Sequence, residues 1–122
     1  MIKSYKDLTV YQLSYRLAMD IFWMSKIIPR EELFSLTDQI RRSTRSITAN
    51  VVEGWSKRYY ENIFKRHLIH SIGSCDETKV WLNFALDCKY ITTEEHKTFT
   101  DQYEELGKML YMLWKNWETY DE

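Results

Sequence analysis

Three arginines within five residues, Arg41, Arg42 and Arg45, are the clearest chemical feature of the sequence. On a helix that turns about 100° per residue, they lie opposite a stripe of apolar and small residues. That stripe consists of Leu36, Ile40, Ser43, Ile47, Val51 and Gly54. Guanidinium groups bind phosphate oxygens bidentately, so a cluster facing water could hold adjacent phosphates of a nucleic-acid backbone. Alternatively, Asp38 pairs with Arg41 and Arg42 and leaves an ordinary solvated face.

More cations follow the three arginines, and aromatic residues lie between them. Residues 41–66 contain seven Lys or Arg and only two acids, whereas the whole chain carries a net charge of −1. Two adjacent tyrosines, Tyr59 and Tyr60, interrupt this basic segment, as is typical of surfaces that bind single-stranded nucleic acid. The candidate nucleic-acid-binding residues are therefore Arg41, Arg42, Arg45, Lys57, Arg58, Lys65 and Arg66.

Catalytic and metal chemistry lack the residues they need. A di-iron site in a helical bundle requires Glu-x-x-His pairs, and none of the three histidines follows a Glu at that spacing. His67 and His70 could share a helix face, but they have no acidic partners for a metal. Cys75 precedes Asp76 and Glu77, whose charges disfavour a reactive thiolate. We expect no enzymatic activity, no metal and no cofactor.

Four polar residues, Asn50, Glu53, Ser74 and Glu77, flank the packing faces of two predicted helices. They could form a ligand pocket. The structural alternative, which we favour, is that they fix the register between helices through hydrogen bonds.

The two cysteines predict a reducing environment. Cys75 and Cys88 lie 13 residues apart on one predicted helix, a separation of roughly 20 Å, which no disulfide spans. We expect both to be buried free thiols. No apolar signal core and no uncharged run of membrane-spanning length occurs, so we expect a cytoplasmic protein without a membrane partner.

Long helices must position these residues, because 122 residues contain only three glycines and one proline. Periodicity predicts helices over about 7–27, 32–58, 61–89 and 93–118, the last beginning with a capping box formed by Thr92 and Glu95. Short links make sequential helices antiparallel. The predicted fold is all-α: an antiparallel up-down-up-down four-helix bundle, with one domain over 1–122.

Two segments, 21–24 and 109–114, are apolar around most of the helix circumference. A bundle helix needs a narrower stripe, so the remaining apolar surface predicts a homo-oligomer. The candidate interface residues are Trp23, Met109, Tyr111, Met112 and Trp114. We also expect Trp114, Trp117 and Tyr120 to meet three tyrosines near the start of the chain.

Several runs of the sequence resemble a known family. They are residues 5–11, Ile28-Pro29, Gln39-x-Arg41-Arg42, Ser46-Ile47, Asn50-Val51-Val52-Glu53-Gly54 and Gly73-Ser74. The chain is similar to the bacterial 23S rRNA intervening-sequence proteins, which are related to the accessory variability determinant of diversity-generating retroelements. Trp55 stands at a position that is usually small in that family. The resemblance implies a four-helix bundle assembled into a ring, a homopentamer, with nucleic-acid binding.

Two functional hypotheses follow. The first is a non-catalytic oligomeric bundle that binds RNA or DNA through backbone contacts from a basic helix face. The second is a homo-oligomeric scaffold that holds a protein partner and binds no nucleic acid.

Overall fold

Four α-helices make up the fold, as predicted. The computed structural model describes residues 2–118. The helices are α1 (Thr9–Ser25), α2 (Leu36–Ser56), α3 (Glu61–Asp87) and α4 (Thr93–Asn116). Short 3-10 turns at Tyr5–Asp7 and Arg30–Glu32 precede α1 and α2. No strand occurs within the described range, so the protein is an all-α four-helix bundle.

The second helix begins four residues later than the predicted start at residue 32. Pro29 has an extended backbone (φ −54°, ψ 146°), and Arg30–Glu32 then forms a separate 3-10 turn. The charged residues that look like a first helical turn therefore belong to the link. By contrast, α4 begins as predicted: the Glu95 amide donates to Thr92 Oγ1 and the Thr92 amide donates to Glu95 Oε1, both at 3.0 Å.

Hydrogen bonds between α2 and α3 show that the two helices are antiparallel. Ser43 bonds to Thr78 at 2.8 Å, Ser74 to Ser46 at 3.1 Å, and His67 to Asn50 at 3.0 Å. Along these three pairs, the residue number on α3 decreases as the residue number on α2 increases. These contacts form a polar seam along an otherwise apolar interface.

The other helix pairs follow the same rule. Thr48 of α2 donates to Ser14 of α1 at 3.0 Å, and Arg41 donates to Ser25 at 2.8 Å. Between α3 and α4, Lys79 contacts Glu104 and Asn83 contacts His96. Each helix is thus antiparallel to the next, which gives the up-down-up-down arrangement.

The core contains the predicted stripe of α2. All six stripe residues are buried, and Ile40, Ile47 and Val51 have no exposed surface. Thr37 and Thr44 are also buried, so the packed face of α2 is wider than the stripe.

Trp55 closes one end of the core. Its ring lies 6.2 Å from that of Phe64 and 5.8 Å from that of Trp117, both in edge-to-face geometry. Trp117 therefore packs here, and the expected meeting with the tyrosines near the start of the chain is wrong for this residue. The tyrosines contact one another instead: the ring centres of Tyr11 and Tyr5 lie 5.0 Å apart. Tyr120 lies outside the described residues.

The two cysteines differ in environment. Cys75 is buried beneath α4, and burial raises the pKa of its thiol to about 12. Cys88 is exposed, because it follows the last residue of α3 at the start of the link to α4. The prediction of two buried thiols is therefore correct for Cys75 and wrong for Cys88.

Candidate nucleic-acid interface

The seven candidate cations divide into two groups, one in the first half of α2 and one around its C-terminal end. Arg41, Arg42 and Arg45 lie near the C-terminal end of α1, as the bond from Arg41 to Ser25 shows. The other four surround the turn between α2 and α3. Twelve residues separate Arg45 from Lys57, which is roughly 18 Å along a helix. We call the second group, together with Tyr59 and Tyr60, the α2–α3 corner; its cations are Lys57, Arg58, Lys65 and Arg66.

Arg41 is held against α1 rather than turned to water, contrary to the prediction. Its Nε donates to Ser25 Oγ at 2.8 Å, and its guanidinium lies 4.8 Å from the centre of the Phe22 ring. A cation at the C-terminal end of α1 is also favoured by the partial negative charge of the helix terminus. The helical periodicity of α2 alone could not show this contact.

Arg42 and Arg45 do face solvent, as predicted. Asp38 forms an ion pair with Arg42 at 4.0 Å, and no such pair joins it to Arg41. Arg45 is exposed, and its guanidinium lies 5.8 Å from the Phe22 ring. Lys26 also approaches this ring, at 4.7 Å. Lys26 lies outside the basic segment 41–66, and only the fold brings it to the arginines.

Two exposed tyrosines distinguish the α2–α3 corner. Tyr59 is 71% exposed and Tyr60 is 68% exposed. Arg58 lies over the rings of Trp55 and Tyr59, at 4.3 and 4.8 Å, and donates to the carbonyl oxygen of Trp55. The corner thus presents aromatic rings beside a positioned planar cation, because the buried Trp55 fixes the place of Arg58.

The charge of the corner is positive but partly balanced. Lys57 pairs with Glu53 at 3.6 Å, and Lys65 pairs with Glu61 at 3.3 Å. The Lys57–Glu53 pair is exposed and contributes little to stability, so a phosphate can replace Glu53. Lys65 is less available, because only 25% of its side chain is exposed and its Nζ also lies 5.5 Å from the centre of the Trp114 ring. Arg66 is exposed and forms no ion pair within residues 2–118.

Of the four polar residues proposed to fix the register, Asn50 and Ser74 bond between α2 and α3, whereas Glu53 and Glu77 pair with residues four positions away along the chain. Asn50 bonds to His67 and Ser46, and Ser74 bonds to Ser46. Glu77 instead accepts a bond from Trp81 at 3.0 Å. Across residues 2–118, no group of three His, Cys, Asp or Glu side chains is placed to hold a metal ion.

The candidate oligomer residues differ in exposure. Trp23 is 63% exposed, Tyr111 49% and Met112 48%. Met109 and Trp114 are half-buried and pack against the core, so less of their surface is available to a partner. Within the described range, no helix is both long and apolar enough to cross a membrane.

Comparisons with known proteins agree with the fold. The model of the 23S rRNA-intervening sequence protein family matches residues 6–112. A crystal structure from Bacteroides thetaiotaomicron, of a protein with unknown function from the S23 ribosomal protein family, superimposes with a TM-score of 0.79. Its sequence is 28% identical, and the match covers 88% of this chain and 96% of that one. Among curated proteins, none matches this sequence.

Proposed function

The chain belongs to the 23S rRNA-intervening sequence protein family, and on that premise we propose that it binds RNA or DNA through its α2–α3 corner, without catalysis. The observation that supports this best is the pair of exposed tyrosines, Tyr59 and Tyr60, beside the ordered guanidinium of Arg58. Phosphate contacts come from the cations around them, so binding depends on the backbone more than on base sequence.

Base stacking supplies the non-electrostatic share of the affinity. Stacking of a base on an aromatic side chain contributes about 1–3 kcal/mol. Tyr59 and Tyr60 expose most of their surfaces in a turn, so two unpaired bases can reach them. This geometry favours single strands, because the bases of a duplex are already stacked on one another.

Arg42 and Arg45 provide a second set of phosphate contacts along α2. Both are exposed, and the ion pair of Arg42 with Asp38 spans 4.0 Å, which is a weak surface interaction. Homo-oligomerisation through the exposed apolar residues would repeat both sets and convert weak sites into a strong one. We propose a homo-oligomer, a pentamer by the resemblance, located in the cytoplasm.

Fluorescence anisotropy with a labelled mixed-sequence single-stranded RNA tests the proposal. At about 50 mM salt, Tyr59→Ala combined with Tyr60→Ala should weaken binding by at least about tenfold, because two stacking surfaces are lost. Phe34→Ala is the matched control: this aromatic ring is 91% exposed but lies in the link between α1 and α2. Absence of saturable binding by the wild type, or equal weakening by the control, would refute the proposal.

A protein-interaction scaffold remains the second candidate, and one observation favours it. Four large residues spaced by four are exposed: Tyr15, Met19 and Trp23 on α1, and Ile27 just after its end. Contiguous exposed apolar surface marks a protein-binding face. If the wild type sediments as an oligomer but binds no RNA or DNA at low salt, the scaffold hypothesis replaces nucleic-acid binding.

A further inference from the structure

A cleft lies where the link between α1 and α2 turns back on the bundle. It has a volume of about 330 Å³. Three cations line it: Lys26 after the end of α1, Arg30 in the 3-10 turn, and Arg41 on α2. They are separated along the chain and meet only because α2 folds back against α1. We propose that this cleft binds a phosphate group of a small molecule, as a phosphomonoester or a diphosphate.

The charges in the cleft lack an acidic counterpart. No carboxylate lines it, and neither Lys26, Arg30 nor Arg41 forms an ion pair within residues 2–118. The nearby Glu32 is engaged elsewhere, because it accepts hydrogen bonds from Ser35 and Tyr90. Six other cations have carboxylate partners within residues 2–118, whereas these three meet in one cleft without any. An external anion would neutralise this local concentration of positive charge.

The Phe22 ring brings the cations still closer together. Lys26 Nζ lies 4.7 Å and the Arg41 guanidinium 4.8 Å from the ring centre. The electron-rich ring face attracts both cations, but it carries no net charge that would neutralise them. Their mutual repulsion persists in the free protein and is relieved when an anion binds between them.

Buried hydroxyl groups complete the cleft. Ser25 is 2% exposed, and its oxygen orients Arg41 by accepting a bond from Nε at 2.8 Å. The guanidinium therefore keeps its two terminal nitrogens for a ligand. Thr37 is 3% exposed, lines the cleft and makes no side-chain hydrogen bond within the described range. Its hydroxyl is available as a donor to a phosphate oxygen.

The composition of the cleft selects the ligand class. Three cations suit a group with two or three negative charges, which a phosphomonoester or a diphosphate carries and an internal phosphodiester does not. Apolar side chains of Ile28, Pro29 and Leu33 form the remaining wall, against which the organic part of a ligand can pack. This site is independent of the α2–α3 corner, which lies at the other end of α2.

Titration of the full chain with sodium pyrophosphate at low ionic strength, followed by calorimetry and by amide NMR shifts, tests the site. We expect saturable binding, with shifts at Ser25, Arg30 and Thr37. Arg30→Gln should weaken it by about tenfold, because a charge-assisted contact is lost. Arg41→Gln should weaken it at least as much, and Lys108→Gln, an exposed cation on α4, should change it less than twofold.

Three results would overturn the proposal. They are no saturable binding up to about 10 mM pyrophosphate, unchanged affinity in Arg30→Gln, and equal weakening by Lys108→Gln, which would indicate general charge screening. Arg41 also bonds to Ser25, so circular dichroism must show that the Arg41→Gln variant is folded. Arg30→Gln tests the site without removing that bond.

A second arm identifies the source of the phosphate. Two single-stranded RNAs of one sequence, with a 5′-phosphate and with a 5′-hydroxyl, are compared on wild type and Arg30→Gln. Equal affinity assigns the cleft to small phosphorylated compounds, as proposed. A preference for the 5′-phosphate that Arg30→Gln removes would assign the same chemistry to a polynucleotide end and overturn the small-molecule source. Failure of RNA binding at the corner leaves the pyrophosphate result unaffected.

Discussion

Replacing Gly54 by Ala should destabilise the bundle, because α2 and α3 are in close contact at this glycine. A Cβ atom built there would lie 2.7 Å from His67 Cβ and 3.1 Å from Phe64 Cδ1. The nearer atom is fixed to the α3 backbone and cannot rotate away. The helices must therefore separate, because a change of the Phe64 rotamer would relieve only the longer contact and would leave the one with His67 Cβ.

The expected magnitude follows from two opposing effects. Overpacking of this kind costs about 1–3 kcal/mol. We expect a cost toward the upper end of that range, because His67 Cβ is fixed to the backbone. Replacing glycine by alanine inside a helix returns about 1 kcal/mol. The net expectation is a loss of about 1–2 kcal/mol in the free energy of unfolding, or roughly 3–10 °C in Tm for a domain of this size.

Gly73 offers a matched control within the next helix. A Cβ atom there meets nothing within 4 Å, and the residue is exposed in the interior of α3. Gly73→Ala should therefore stabilise the protein by about 0.5–1 kcal/mol. Urea denaturation monitored by circular dichroism measures both variants at one protein concentration. A Gly54→Ala variant as stable as the wild type would refute the close contact between α2 and α3.

Three further predictions concern thiols, the polar seam and pH. Iodoacetamide at pH 8 should modify Cys88 and spare Cys75 in the folded protein, as mass spectrometry would show, because burial raises the pKa of Cys75 to about 12. Ser43→Ala should cost about 1 kcal/mol in urea unfolding by leaving Thr78 without its partner hydroxyl, and the loss should shrink when Thr78→Val is added; additive losses would contradict the bond. Hydrogen bonds from the Ser35 and Tyr90 hydroxyls lower the pKa of Glu32 in the folded protein. The ionised Glu32 therefore stabilises the fold above the ordinary carboxyl pKa, and this stabilisation is lost as the pH falls through the lowered pKa. The urea midpoint should thus depend less on pH between about 5 and 3 in Glu32→Gln, and an unchanged pH dependence would exclude this role.

The sequence predicts the packing of α2 well because helical periodicity is a local property. Its stripe from Leu36 to Gly54 is buried throughout, and the capping box at Thr92 marks the start of α4. The start of α2 is less predictable, because acidic residues after Pro29 favour a 3-10 turn and a first α-helical turn alike. Solvent exposure of Cys88 likewise depends on where α3 ends.

The candidate sites are harder to predict than the helices, since they depend on contacts between distant segments. Arg41 lies on the polar side of α2 by periodicity, but Phe22 and Ser25 of α1 draw it inward. Lys26 and Arg30 belong to no recognisable pattern in the sequence. They come together with Arg41 only because the link between α1 and α2 turns back onto α2. The tyrosines of the α2–α3 corner were visible as a local pair, because a turn between two helices exposes its residues.

The salt dependence of RNA affinity tests the central claim most directly. For single strands, the slope of log K against log salt concentration is about −0.7 per phosphate contact. Replacing two exposed cations of the corner, by Lys57→Gln and Arg66→Gln, should make the slope less negative by about 1.4 per bound subunit, while Lys108→Gln leaves it unchanged. A wild type that binds no RNA at about 50 mM salt, or a double variant that keeps the wild-type slope, would contradict nucleic-acid binding at the α2–α3 corner.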